Sequence, residues 1–249
     1  EVTRHPTIKD GPFPNLMVLF GTGRFLDVAD KTLTGKQSYY GVWDTHYLNY
    51  GKRPLRGAGH LHRNGLAAQV FLVDDDSSRK RVLNPTITPD YHASKGLRQF
   101  GWYFDLSGAG ERAVGTPYVR GGVLHFNTII PDTSVCASGG TGWEMIVKAE
   151  NGGSPLEASF DFNNDGIISD TAGGGDVIEV VIGGETVTVG YSGRKVEAGK
   201  GMPAGVAIMG DTAYTAAGGT DAGGKIITTK LATAGAPEAG RFSWQHLQP

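Results

Sequence analysis

Cysteine is almost missing from this sequence. Cys136 stands alone among 249 residues, which excludes a disulfide framework within the chain and leaves only a cysteine outside it as a disulfide partner. A catalytic thiol needs a histidine beside it, and nothing in the sequence places one near Cys136. Long apolar runs are missing as well: none approaches the roughly 18 residues that span a bilayer, so no membrane span is expected. Glu1 opens without a signal-peptide pattern, and any export signal is expected upstream of it. Strong charge of either sign is also lacking. The net charge is −2, and basic residues are interleaved with acidic ones through the first 150 positions, which excludes a basic face for nucleic acid. The turn GTGR at Gly21 to Arg24 lacks the third glycine of a dinucleotide loop, and no apolar helix follows it. No stretch carries the period of a long amphipathic helix.

Glycine is what the chain has in excess. At 39 of 249 residues it reaches about twice the average usage; with Thr, Val and short apolar runs, this predicts many strands joined by tight turns. Apolar residues make up 39% of the chain, enough for a core, and the length suits one large or two small domains. NLMVLF at 15–20 and SYYGVWD at Ser38 to Asp44 read as strands that pair across the loop at 27–37. Another strand is expected from Leu66 to Val73. His60 and His62, just before it, share one strand face, yet no third ligand is apparent and a hydrogen-bonded surface pair is the simpler reading. Arg79, Lys80 and Arg81 follow Asp74, Asp75 and Asp76 and read as a solvated loop.

The most regular stretch is Gly101 to Lys148, where GWYFDL, RAVGTPYV, GVLHFNTII and WEMIVK predict four consecutive antiparallel strands, matching one β-propeller blade. DVIEVVIGGETVTVGY predicts a hairpin turning at Gly183-Gly184. Further strands are expected at Gly205–Met209, Lys225–Leu231 and Gly240–Leu247, with loop between them. The fold class is therefore all-β and β-propeller-like, partial or modified, with four-stranded antiparallel blades, and residues 1–249 form a single domain.

The sharpest chemical signal is DFNNDGIISD, Asp161 to Asp170. Asp161, Asn163 and Asp165 alternate so that a tight loop can turn their oxygens toward one point, and Gly166 falls where that loop must bend. Numbered as a Ca²⁺ loop, these side chains fill positions 1, 3 and 5, the Ile167 carbonyl falls at 7 and Ser169 at 9. Position 12 is Ala172 rather than Glu, so this is a calcium loop outside an EF-hand, closed by Asp170, Asp176 or a distant group. The candidate metal residues are Asp161, Asn163, Asp165, Ile167, Ser169 and Asp170, within a calcium-binding region at 157–176. A plain Asx-rich turn explains the composition, though not the alternation with glycine at that place. The region is acidic: residues 151–249 hold 6 Lys and Arg against 11 Asp and Glu.

Several stretches together resemble the C-terminal β-propeller domain of the PilY family, the type IV pilus tip-associated adhesins and biogenesis factors. They are VLFGTGRFLDVAD (Val18 to Asp30), QSYYGVWD (Gln37 to Asp44), GWYFDLSGAGER (Gly101 to Arg112), FNTIIPDTSVCASGGTGW (Phe126 to Trp143), FDFNNDG (Phe160 to Gly166) and GRFSWQHL (Gly240 to Leu247), in the family's order. The resemblance implies an extracellular location at the pilus tip of a Gram-negative bacterium. It also implies a Ca²⁺ site coupled to pilus extension and retraction, and contact with minor pilins, other tip subunits and host or surface ligands. Where the family places an acidic ligand near position 9, this sequence has Ser169 followed by Asp170. A complete seven-bladed propeller needs roughly 300 residues, so a fragment or compacted version is expected, its open edge covered by the rest of the protein or another subunit.

The expected function is non-catalytic. A secreted propeller enzyme, quinoprotein-like or a glycosidase, would need convergent groups such as two carboxylates about a glycosidic bond, and the sequence does not place Asp44, Asp105 or Glu111 in such a pair. A calcium-stapled structural fibre subunit is the third class. Tyr47, Tyr50 and Tyr91 are candidate recognition aromatics, with packing the simpler role.

Overall fold

The computed structural model describes residues 2–4, 16–44, 62–91, 99–132, 139–169, 171, 175–197, 199–218 and 225–232. Strands β1 (Val2–Arg4), β2 (Leu16–Gly21) and β3 (Ser38–Asp44) form an antiparallel run; the β2–β3 pair is the one expected from the sequence, and β1 adds to its edge. The expected strand from Leu66 to Val73 is broken in two: β4 (Ala67–Ala68) stays with the first sheet and β5 (Phe71–Asp75) begins a second. β6 (Lys80–Leu83) pairs with β5, so the basic triplet lies at the end of a turn and within a strand rather than wholly in solvent.

The predicted four-stranded blade also divides. β7 (Gly101–Asp105) joins the first sheet, in the order β1-β2-β3-β7-β4. β8 (Tyr118–Arg120), β9 (Val123–Pro131) and β10 (Gly140–Lys148) join the second with β13 (Gly193–Lys195), in the order β5-β6-β13-β10-β9-β8. The connection between β7 and β8 is mostly irregular, touching β9 through one bridge, Arg112 to Ile129. β11 (Val177–Ile182) and β12 (Glu185–Gly190) make the expected hairpin, Ile182 facing Glu185 across Gly183-Gly184. β14 (Pro203–Met209), β15 (Thr212–Ala217) and β16 (Lys225–Lys230) form a three-stranded sheet; β15 falls where a loop was expected, and 240–247 lies outside the described residues.

The six-stranded sheet is a central layer between two cores. On β10, Trp143, Met145 and Val147 enter one cluster, together with Met17, Leu19, Tyr39, Trp102 and Phe104 of the first sheet. Ile146, pointing the other way, enters a second cluster with Val180, Val189, Tyr191, Ala213 and Leu231. The period of two that puts successive side chains on opposite faces makes one strand serve both. The fold is all-β and β-propeller-like, and among the described residues its strand pairs are antiparallel apart from β4–β7.

Candidate metal centre

Phe160 forms a single antiparallel bridge with Leu231, and Asp161 N donates to Lys230 O at 2.9 Å, so the loop leaves from an extension of the β16 edge. Asp161 is 3% exposed. Its Oδ1 accepts from Asp165 N at 3.2 Å and its Oδ2 from Gly166 N at 2.8 Å. Turning both amides back toward Asp161 takes the chain through left-handed backbone at Asn164, φ 62°, and Gly166, φ 86°. Asn enters that region readily and glycine has no Cβ to clash there.

Asn163 Oδ1 accepts from Asp165 N at 3.1 Å, while its Nδ2 donates to Asp165 Oδ2 at 2.9 Å. Asp165 Oδ1 accepts from Ile167 N at 2.8 Å. The Ile167 amide, then the Asn163 amide, hold the Asp165 carboxyl below its ordinary value, and the charge of Lys230 acts in the same direction. The Ile167 side chain points into solvent. Ser169 gives its amide to Asp176 Oδ2 at 2.9 Å, and its Oγ accepts from Thr171 N at 3.2 Å. Asp170 lies outside the described residues.

Two buried groups complete the loop. Asp176, 1% exposed, takes Phe162 N on Oδ1 at 2.7 Å and Ser169 N on Oδ2 at 2.9 Å, spanning the loop from its start to its far side. The sequence names Asp176 among three options because only the folded chain brings it back to residues seven and fourteen positions earlier. Arg194 on β13 donates from Nη1 to Asp161 O, Phe162 O and Asn164 Oδ1, at 3.1, 3.1 and 3.0 Å. No sequence signal marks Arg194, which sits 30 or more positions away from those partners.

The donors available to an ion are all oxygens, the set that hard cations select. The amide bonds that shape the loop use one direction at each Asp161 and Asp165 oxygen, whereas Asp176 Oδ1 takes both Phe162 N and Asn163 N; a carboxylate has about four lone-pair sites. Among the described residues, no group of three or more His, Cys, Asp or Glu could hold a metal by itself. The oxygens the loop itself offers are mixed in kind: the Asp161, Asn163 and Asp165 side chains and the Ile167 carbonyl.

The other candidates are engaged elsewhere. Glu111 is buried against Arg81, with Nη1 to Oε1 at 2.6 Å and Nη2 to Oε2 at 2.8 Å. Asp105 pairs with Arg63 at 2.5 Å and accepts from Ser38 Oγ at 2.6 Å. Tyr91, read as a candidate for exposed recognition, is 4% exposed and donates to Glu150 O, so packing claims it. His62 is exposed ahead of a 3-10 turn at Arg63–Gly65. His60, Tyr47, Tyr50, Cys136 and the Asp44 side chain lie outside the described residues.

No family model matches the chain. A type IV pilus biogenesis factor PilY1 homolog of Xylella fastidiosa (strain Temecula1) is 32% identical over 152 residues, covering 59% of this chain and 9% of that protein. The type IV pilus biogenesis factor PilY1 of Pseudomonas aeruginosa (strain PAO1) is 27% identical over 177 residues, covering 68% of this chain and 15% of that protein. The crystal structure of the P. aeruginosa PilY1 C-terminal domain superposes with a TM-score of 0.64 at 21% identity, over 93% of this chain and 43% of that one. The chain is similar in sequence to PilY1 proteins and shares the fold of the PilY1 C-terminal domain. It spans only between about a tenth and a seventh of the length of those curated PilY1 relatives. Among the described residues, no helix is long and apolar enough to cross a membrane.

Proposed function

We propose that this chain is a non-catalytic, calcium-binding domain of a type IV pilus biogenesis factor, acting outside the cell at the pilus tip in extension, retraction and adhesion. One observation carries the calcium reading: the buried Asp161 carboxylate is aimed by two backbone amides into a loop of oxygen donors, in a domain whose relatives are PilY1 proteins. Ca²⁺ would supply the positive charge that draws Asp161, Asn163, Asp165 and the Ile167 carbonyl together, with Ser169 and Asp170 completing or flanking the set. Residues 1–249 act as one domain, and its partners are minor pilins or other tip subunits, the rest of the same protein, and a host or surface ligand.

Calorimetric titration of Ca²⁺ into this chain and into an Asp161→Ala, Asp165→Ala variant tests the reading. Saturable one-site binding in the parent, lost in the variant, is the expected outcome. A folded parent that takes up no Ca²⁺ would reduce the loop to a turn.

A further inference from the structure

Arg194 has all its donor nitrogens engaged. Beyond the three loop acceptors on Nη1, its Nε and Nη2 donate to Glu144 Oε2 at 3.1 and 2.9 Å, and Nη2 donates to Thr229 Oγ1 at 2.6 Å. Thr229 in turn donates to Glu144 Oε1 at 2.9 Å. Arg194 is on β13, Glu144 on β10 and Thr229 on β16, and all three side chains are buried. One guanidinium therefore joins the loop, the central sheet and the three-stranded sheet.

The loop touches that outer sheet by two further routes, Asp161 N to Lys230 O and Lys230 Nζ to Gly166 O at 2.7 Å. Elsewhere the two sheets meet through Asn127 Nδ2, which donates to Ala204 O at 2.5 Å and Thr215 Oγ1 at 3.3 Å, and through Arg120 Nη1, which donates to Gly210 O. A shift of the 161–164 backbone cannot leave the Arg194 fork unchanged, because a planar guanidinium offers its donors in fixed directions. A closely packed interior passes such a shift to its neighbours instead of absorbing it.

We propose that Arg194 is the positioning residue of the cation loop and the link through which occupancy of the loop sets the docking of β16 on the central sheet. This rests on the calcium reading above. The guanidinium orients the loop backbone and Asn164 from behind, as outer-shell partners orient metal ligands, and Thr229 carries the consequence into β16.

The test compares the parent with Arg194→Gln, Arg194→Lys and Thr229→Val, reading Ca²⁺ affinity by calorimetry and amide hydrogen exchange with and without Ca²⁺. In the parent, Ca²⁺ is expected to slow exchange in Lys225–Lys230. Arg194→Gln is expected to weaken Ca²⁺ binding about 10- to 100-fold and to abolish that slowing, with Arg194→Lys intermediate. Thr229→Val, which leaves the loop contacts of Arg194 intact, is expected to hold affinity within about threefold and still lose most of the β16 response. Parent-like affinity and β16 response in folded Arg194→Gln would overturn the proposal and leave the calcium reading standing. Absence of Ca²⁺ binding in the parent would overturn both.

Discussion

Arg81 shows how much one side chain decides. It is 1% exposed, forks onto the buried Glu111, reaches Asp74 at 2.9 Å and Ser107 at 2.6 Å, and lies 3.8 Å from the centre of the Trp143 ring. Glu111 is satisfied in turn by Thr128 Oγ1 at 2.6 Å and Gly108 N at 2.9 Å. Removing one partner of such a pair strands a buried charge and costs about 3–5 kcal/mol, whereas removing both together is far milder. Arg81→Met is expected to lose that much in urea unfolding, and Arg81→Met with Glu111→Leu to regain most of it; equal losses in both would show that the ion pair is not the source. The sequence reads Arg81 as solvated because its partner is 30 positions away, and charge pattern alone carries no such distance. His125 offers a second test at this scale. Burial, then the charge of Arg120, pushes its pKa from 6.5 down to about 4. Between those values the unfolded chain binds a proton that the folded chain refuses, so stability is fully present above about 6.5 and falls as the pH drops toward 4, by at most about 3 kcal/mol. His125→Leu is expected to flatten that part of the melting-temperature profile, and an unchanged slope would assign it to other groups.

Among elements, strandhood was legible where side chains alternate, and partners were not. β2, β3 and the β11–β12 hairpin follow from local pattern because each pairs with its neighbour in sequence. β7 has the same pattern, yet it pairs with β3 and β4, since Trp102 and Phe104 belong to the cluster that Tyr39 and Ala67 supply. β15, TAYTAA, looks like loop because alanine is a weak strand former. It is held between β14 and β16, and Ala213, Thr215 and Ala217 are the inward, buried residues; their small size lets the outer sheet lie close. The glycine excess finds a reason on β3. Gly41 faces Trp102 across the β3–β7 pair, and a Cβ there would come within 2.3 Å of the indole ring. The ring cannot withdraw freely, since its Nε1 donates to Ala149 O at 2.9 Å. Overpacking of this kind costs about 1–3 kcal/mol, so Gly41→Ala is expected to lower the melting temperature by about 2–12 °C in a chain of this size. A calorimetric trace matching the parent would show that the strand pair yields at no cost.

At the scale of the molecule, the Asp161–Ser169 loop is tied to the aromatic core through one sheet, by way of Arg194 on β13 and Glu144 on β10. Asp161, Asn163 and Asp165 were legible in the sequence because their spacing is local, whereas Asp176 and Arg194 act through the fold, on the loop from behind. The central sheet contributes to both cores: Leu83 faces one and Val82 the other, as do Met145 and Ile146 on β10. A layer shared in this way cannot lose one face while keeping the other well packed, so the two cores are expected to melt together. A ligand that binds only the folded state adds stability by mass action, about 2.7 kcal/mol at a free concentration 100 times its dissociation constant. For a chain of roughly this size each kcal/mol moves the midpoint by about 2–4 °C. Saturating Ca²⁺ is therefore expected to raise one cooperative transition by about 5–11 °C, and a chelator to reverse it, as followed by scanning calorimetry. Two transitions with only the smaller displaced by Ca²⁺ would mean that the outer sheet and its loop unfold apart from the aromatic core, and the shared layer would then not be what couples them.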